Sequence, residues 1–132
     1  MQKAISKALE RFNKPETAKK FIQLNTDKGK TLLYFDQIQL IKTAISDSRD
    51  KTVLLSDGSF LNLKNVKFDT LLQELPEADF CRINKKEIVA VKAIKFFNHN
   101  EIVLHHLEEN NKNTILILSE TYRSDFLKKV KI

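Results

Sequence analysis

The sequence predicts a mainly β fold, on three observations. From Lys19 onward, short apolar runs rich in Ile, Val, Leu and Phe recur at roughly the 8–12-residue spacing of sandwiches and barrels. Clusters of Gly, Asn, Asp and Ser close these runs, as tight turns require. Helical periodicity is confined to three short stretches.

The first of these, Met1 to Asn13, sets Ile5, Ala8, Leu9 and Phe12 at helical spacing before Lys14-Pro15 interrupts it. Residues 1–16 are therefore expected to be a short amphipathic helix or linker, and residues 17–132 the domain proper. Strands are expected near Phe21–Leu24, Thr31–Phe35, Ile38–Ala44, Thr52–Leu55, Phe60–Leu63, Phe80–Ile83, Ala93–Phe97, Ile102–Leu107 and Thr114–Leu118.

Asp27-Lys28-Gly29 and Ser56-Asp57-Gly58 supply glycine where a turn needs positive φ. Asn98-His99-Asn100 and Asn110-Asn111-Lys112-Asn113 use the residue that tolerates it next best. Four hairpins follow from these turns. Between the strands, Phe68, Leu71, Leu72 and Leu75 fall at i, i+3, i+4 and i+7, and Pro76 limits the helix they predict. At the C-terminus Ser119 is suited to start a helix with an apolar stripe of Tyr122, Phe126, Leu127 and Val130. Lys128, Lys129 and Lys131 lie where the helix dipole favours cations.

Length and charge narrow the function classes. A chain of 132 residues fits one domain that buries a core without disulfides or metal. A net charge of +6 favours polyanionic partners, because neutralising phosphates releases condensed counterions. The single cysteine, Cys81, has no internal disulfide partner, and the N-terminus lacks the long apolar stretch of a signal peptide or membrane span. A cytoplasmic protein with no membrane contact is expected.

Catalytic and metal chemistry find little support. His105 and His106 are adjacent in an expected strand, so they point to opposite faces, and His99 lies in a turn. No HExxH, CxxC, phosphate-cradling glycine loop or GxSxG elbow occurs. No enzyme activity, metal or cofactor is expected. Cys81 sits beside Arg82, which would favour a reactive thiolate, whereas a buried strand position would make it an inert apolar residue.

Positive charge meets strand ends in three places. Arg82-Ile83-Asn84-Lys85-Lys86 carries three cations and an amide in five residues, where Lys suits guanine O6 and N7, Asn suits adenine, and Arg clamps phosphate. Ser46-Asp47-Ser48-Arg49-Asp50-Lys51 joins two expected strands, and Thr121-Tyr122-Arg123-Ser124 opens the last helix. On composition alone, each loop is also consistent with a solvated turn.

The segment Leu75-Pro76-Glu77-Ala78-Asp79-Phe80-Cys81-Arg82-Ile83-Asn84-Lys85-Lys86-Glu87-Ile88-Val89 resembles the signature of the LytTR family. The likeness continues in order through Phe21-Ile22 with Gly29-Lys30, Phe35-Asp36-Gln37-Ile38, Ser56-Asp57-Gly58, Leu71-Leu72 and Ile117-Leu118-Ser119-Glu120-Thr121-Tyr122. It spans about Ala18 to Val130.

The resemblance implies an elongated fold of about ten strands with short helices, plus the C-terminal helix. It also implies a sequence-specific transcriptional regulator, standing alone or as the effector domain of a bacterial two-component response regulator, that reads successive major grooves of promoter DNA through loops. Base-reading positions fall on Asp50 or its neighbours Arg49 and Lys51, on Lys85, and on Thr121, and Asn84 joins them as a candidate through its amide chemistry. Phosphate contacts fall on Arg82, Lys86, Ser119 and Arg123. Paired direct repeats are the implied target, and a receiver domain or sensor the implied partner. Asn84, Lys86, Glu87 and Ala90 depart from the histidine, serine, aromatic and asparagine common at those positions. Asn84, Glu87, Ala90 and the N-terminal helix motivate a second expectation, a protein-interaction module that sequesters a partner regulator without binding DNA.

Overall fold

The computed structural model describes residues 20–107 and 112–130. The expected N-terminal helix and parts of the Asn110–Asn113 turn and C-terminal tail lie outside them. Ten strands and two helices follow in the order β1 (Phe21–Thr26), β2 (Gly29–Tyr34), β3 (Ile38–Thr43), β4 (Lys51–Leu55), β5 (Phe60–Leu63), α1 (Phe68–Glu74), β6 (Phe80–Asn84), β7 (Glu87–Ala90), β8 (Ile94–Phe97), β9 (Glu101–Leu107), β10 (Asn113–Ile117) and α2 (Glu120–Val130). Single 3-10 turns at Phe35–Gln37 and Val91–Ala93 lead into β3 and β8.

The strands form a seven-stranded sheet ordered β2-β1-β5-β4-β3-β7-β6 and a three-stranded sheet ordered β10-β9-β8, with every pairing antiparallel. In β3 and β4 the adjacent residues Leu40-Ile41 and Val53-Leu54 are all buried, so these central strands are covered on both faces. One apolar cluster runs through both sheets and both helices, from Ile22 and Leu33 through Ile83, Ile88 and Val89 to Ile102, Leu104 and Phe126. About 0.8 kcal/mol per buried CH₂ makes this shared cluster the main force joining the sheets.

The glycine turns behave as the sequence predicts. Gly29 and Gly58 take φ of 123° and 88°, which L side chains adopt only under strain, and they close the β1–β2 and β4–β5 hairpins. The Asn98–Asn100 turn closes β8–β9 through the Asn98 side chain, which accepts from the N–H groups of Asn100 and Glu101 at 2.9 and 3.0 Å.

One strand escapes the sequence reading. Glu87–Ala90 forms β7, pairing with both β3 and β6, so the Arg82–Lys86 segment is a strand end with a two-residue turn rather than a long loop. That turn, Lys85-Lys86, carries no glycine. Side chains hold it instead: Arg82 Nε and Nη2 donate to the carbonyls of Asn84 and Lys85 at 3.3 and 3.0 Å, and Asn84 Oδ1 accepts from Lys86 N–H at 2.8 Å.

Both helices have the expected extent, with one correction. In α1, Leu71 is fully buried and Leu75 just beyond it nearly so. In α2, Phe126 is fully buried and meets the Phe97 ring edge-on at 5.0 Å, but Leu127 is 44% exposed and leaves the stripe. The helix lies on β6, where Lys129 Nζ donates to the carbonyls of Glu77 and Phe80, both at 2.7 Å. Among the described residues, no helix is long and apolar enough to cross a membrane.

Candidate nucleic-acid interface

Sheet order places the three cation-bearing segments at one end of the molecule. β3 lies between β4 and β7, so the β3–β4 loop and the β6–β7 turn leave the sheet side by side, joined by a hydrogen bond from Thr43 N–H to the Lys86 carbonyl at 2.9 Å. The start of α2 joins them because Ser119 N–H donates to the Ile83 carbonyl at 2.9 Å.

A shallow basin of about 410 Å³ opens where these segments meet α1. Its wall contains five cations, Lys51, Lys67, Arg82, Lys85 and Lys86, against one carboxylate, Asp69. Lys67, Lys85 and Lys86 are exposed, and their ammonium groups have no hydrogen-bond or ion-pair partner among the described residues. Such an array attracts an anion by long-range field as well as by contact.

Arg82 organises the basin. Its guanidinium lies 5.1 Å from the Phe68 ring centre and 5.4 Å from that of Tyr122, so it joins α1, α2 and the turn whose carbonyls it holds. Asp69 stands 3.8 Å from Nη1, an exposed pairing that adds little. The expectation of Arg82 as a phosphate contact therefore meets a side chain already committed to the turn.

Asn84 is committed as well. Its amide donates to Glu87 Oε1 and to the Ile117 carbonyl, both at 2.8 Å, while its Oδ1 receives Lys86 N–H. Both amide hydrogens and the oxygen are thus engaged, tying the β6–β7 turn to β10 in the other sheet. The departure from histidine at this position has a structural consequence, a tether between sheets.

The β3–β4 loop separates its three candidates. Arg49 is exposed but forked onto Asp47, with Nε and Nη2 at 3.3 and 2.9 Å, and its own N–H donates to the same carboxylate at 2.9 Å. These bonds from Arg49 hold the Asp47 carboxyl at a pKa of about 2. Asp50 accepts from Asn65 N–H at 2.9 Å and Lys64 Nζ at 3.1 Å, which lower its pKa too, the Asn65 bond most. Asn65 takes a positive φ of 51° to reach it.

Lys51 is drawn inside. It is 5% exposed, with Nζ donating to the Ser48 carbonyl at 2.8 Å and lying 5.0 Å from the Phe68 ring centre, opposite to what an outward base reader requires. Burial holds its ammonium below the ordinary lysine range. Asp50 and Asp47 partly offset this, and Arg82 adds to it.

At the third segment, Thr121 is exposed on the first turn of α2, and Ser119 precedes the helix half-buried. Arg123 turns away from the basin: Nε donates to the His99 carbonyl at 2.8 Å, and Nη2 lies 3.4 Å from Asn100 Oδ1 and 3.5 Å from the Leu118 carbonyl. It braces the β8–β9 turn.

Sequence reading missed Lys67, Phe68 and Asp69 as parts of this site. The only local signal was a lysine beside a helix start, because sheet order, not sequence proximity, brings α1 to the β6–β7 turn. Cys81 is 2% exposed, and burial pushes its thiol pKa up, contrary to what a thiolate-based sensor requires. No cluster of three or more metal-ligating side chains occurs among the described residues.

No protein-family profile matches the chain, and no curated protein matches it. Among solved structures, the LytTr DNA-binding domain of a methyl-accepting/DNA response regulator from Bacillus cereus is similar with a TM-score of 0.64 at 21% identity. The match covers 86% of this chain and 99% of that one. The chain has the LytTR-type fold. Its ten antiparallel strands, short α1 and C-terminal α2 agree with the architecture that the sequence resemblance implies. Within the LytTR-type fold, the basin lies beside the β6–β7 turn that carries the most specific part of that resemblance.

Proposed function

We propose that this protein is a sequence-specific DNA-binding transcriptional regulator, the effector domain of a bacterial response regulator or a stand-alone protein of the same kind. One observation carries the reading: a LytTR-type fold gathers five cations from three separate stretches of chain into one basin at a loop-bearing end. Exposed Lys85 and Lys86 on a braced turn, Arg49 on the adjacent loop and Thr121 on α2 are the side chains offered outward for the grooves of duplex DNA. Rigid presentation favours discrimination, since less side-chain and loop entropy is lost on binding. Paired direct repeats remain the proposed target, a receiver domain or sensor the proposed partner, the cytoplasm the proposed setting, and no enzymatic step is assigned.

Selection of bound duplexes from random sequence tests the reading. A motif repeated at about one helical turn, with affinity falling steeply as salt rises, is the expected result. Lys85→Ala is expected to lose about 1–3 kcal/mol on the selected site and much less on scrambled DNA. Equal losses on both would remove Lys85 as a base reader, and no salt-dependent binding by the parent would remove the function.

A second reading, a module that sequesters a partner regulator without binding DNA, is favoured by one observation. Asp50 and Asn84, two of the candidate base readers, spend their polar atoms inside the chain. A stable protein complex without salt-dependent DNA binding distinguishes it.

A further inference from the structure

We propose that the floor of the basin is a seat for a single phosphate group, with Lys51 below and Lys67, Lys85 and Lys86 at the rim. The inference rests on the DNA-binding reading only for what carries the phosphate, a nucleic-acid backbone.

The argument begins with an imbalance of charge. Lys51 is 95% withdrawn from solvent by its 5% exposure, yet no carboxylate lies within ion-pair distance among the described residues. An ammonium has three donors, and among the described residues only one is used, on the Ser48 carbonyl. The Phe68 ring supplies a weak electrostatic partner on one side, but the same ring is shared with the Arg82 guanidinium. Two cations therefore flank one ring, 5.0 and 5.1 Å from its centre.

Withdrawing an ammonium from water without an ion-pair partner is unfavourable, the nearby Arg82 adds to the cost, and Asp50 and Asp47 offset it only in part. Proteins ordinarily relieve such a cost with an acid, and here Asp50 and Asp47 are turned to Lys64, Asn65 and Arg49 instead. Among the described residues the one acid lining the basin, Asp69, is 87% exposed and faces Arg82.

A doubly or singly charged oxyanion in the basin resolves the imbalance. It accepts the spare Lys51 donors, and the flexible stems of Lys67, Lys85 and Lys86 close over it from three sides. Lysines suit phosphate as compact point charges, without the planar match that a carboxylate makes with arginine. Lys67 becomes part of the nucleic-acid interface, a role to which neither its neighbours in sequence nor the family resemblance points.

The test uses the full chain with Lys51→Met, Lys67→Gln and, as control, Lys92→Gln in the exposed 3-10 turn at the other end of β7. Removing one phosphate contact is expected to flatten the slope of log affinity against log salt by about 0.9 unit, about 3.5-fold less loss of affinity over a fourfold rise in salt. Lys92→Gln is expected to keep the parent slope. In a second arm without DNA, inorganic phosphate is expected to raise the parent's melting temperature above that in chloride of equal ionic strength, with the increment lost in Lys51→Met and reduced in Lys67→Gln.

DNA binding with parent slopes in both basin variants overturns the seat and leaves the proposed function standing. A phosphate increment lost in Lys51→Met, in a parent that binds no DNA, supports the seat for a free oxyanion and overturns the DNA reading. Loss of neither effect overturns the seat. If Lys51→Met does not fold, Lys67→Gln, at an exposed position, decides both arms.

Discussion

Replacing Asn84 by alanine separates a base reader from a tether. The side chain makes three hydrogen bonds of 2.8 Å, to Glu87, to the Ile117 carbonyl and from Lys86 N–H. Each contributes about 1 kcal/mol net, and water replaces part of what the more exposed ones lose, so Asn84→Ala is expected to cost about 2 kcal/mol. At about 4 °C per kcal/mol for a domain of this size, the melting temperature falls by about 8 °C. Because the turn that presents Lys85 loses its hold on β10, binding to the selected site is expected to weaken with no change in the preferred base at any position. Thermal denaturation followed by circular dichroism, with binding titrations on the selected duplex and its single-base variants, measures the two effects. A double-mutant cycle with Glu87→Ala is expected to show coupling of at least about 0.5 kcal/mol, since the two side chains touch. A variant that melts within about 2 °C of the parent but changes the preferred base at one position would refute the tether and restore Asn84 as a reader.

Two further predictions follow from the local chemistry. Arg49 holds the Asp47 carboxyl at a pKa of about 2, below its ordinary 3.8, so the stabilisation it gives the β3–β4 loop is full above about pH 4 and is lost as pH falls through about 2. A carboxyl carbon titration is expected to show that midpoint and to return it toward the ordinary value in Arg49→Ala; an ordinary midpoint in the parent would show that the fork is absent in solution. Cys81, buried with its thiol pKa raised, is expected to react with a thiol reagent only at the rate of opening. Rapid labelling of the native protein would reinstate a redox role.

The fold was largely legible because its signals are local. Gly29, Gly58 and the Asn98 turn announce their hairpins through backbone preference alone, and the helical spacing of Phe68, Leu71, Leu72 and Leu75 announces α1. The β6–β7 hairpin was not legible, since Lys85-Lys86 has no residue of turn chemistry and is held by Arg82 and Asn84 from the strand before it. For the same reason the candidate site was legible only as three basic stretches. Which of their side chains point outward depends on partners distant in sequence, such as Lys64 for Asp50, His99 for Arg123 and Phe68 for Lys51.

The sequence by itself determined a basic, mainly β domain, its turns and the stretches where cations gather, because period, turn preference and charge are properties of neighbouring residues. Only the tertiary structure decided what those cations do. It buried Lys51, set Arg82, Asn84 and Arg123 as braces, left Lys85 and Lys86 exposed, and brought in Lys67, because an antiparallel sheet ordered β4-β3-β7-β6 puts distant turns side by side.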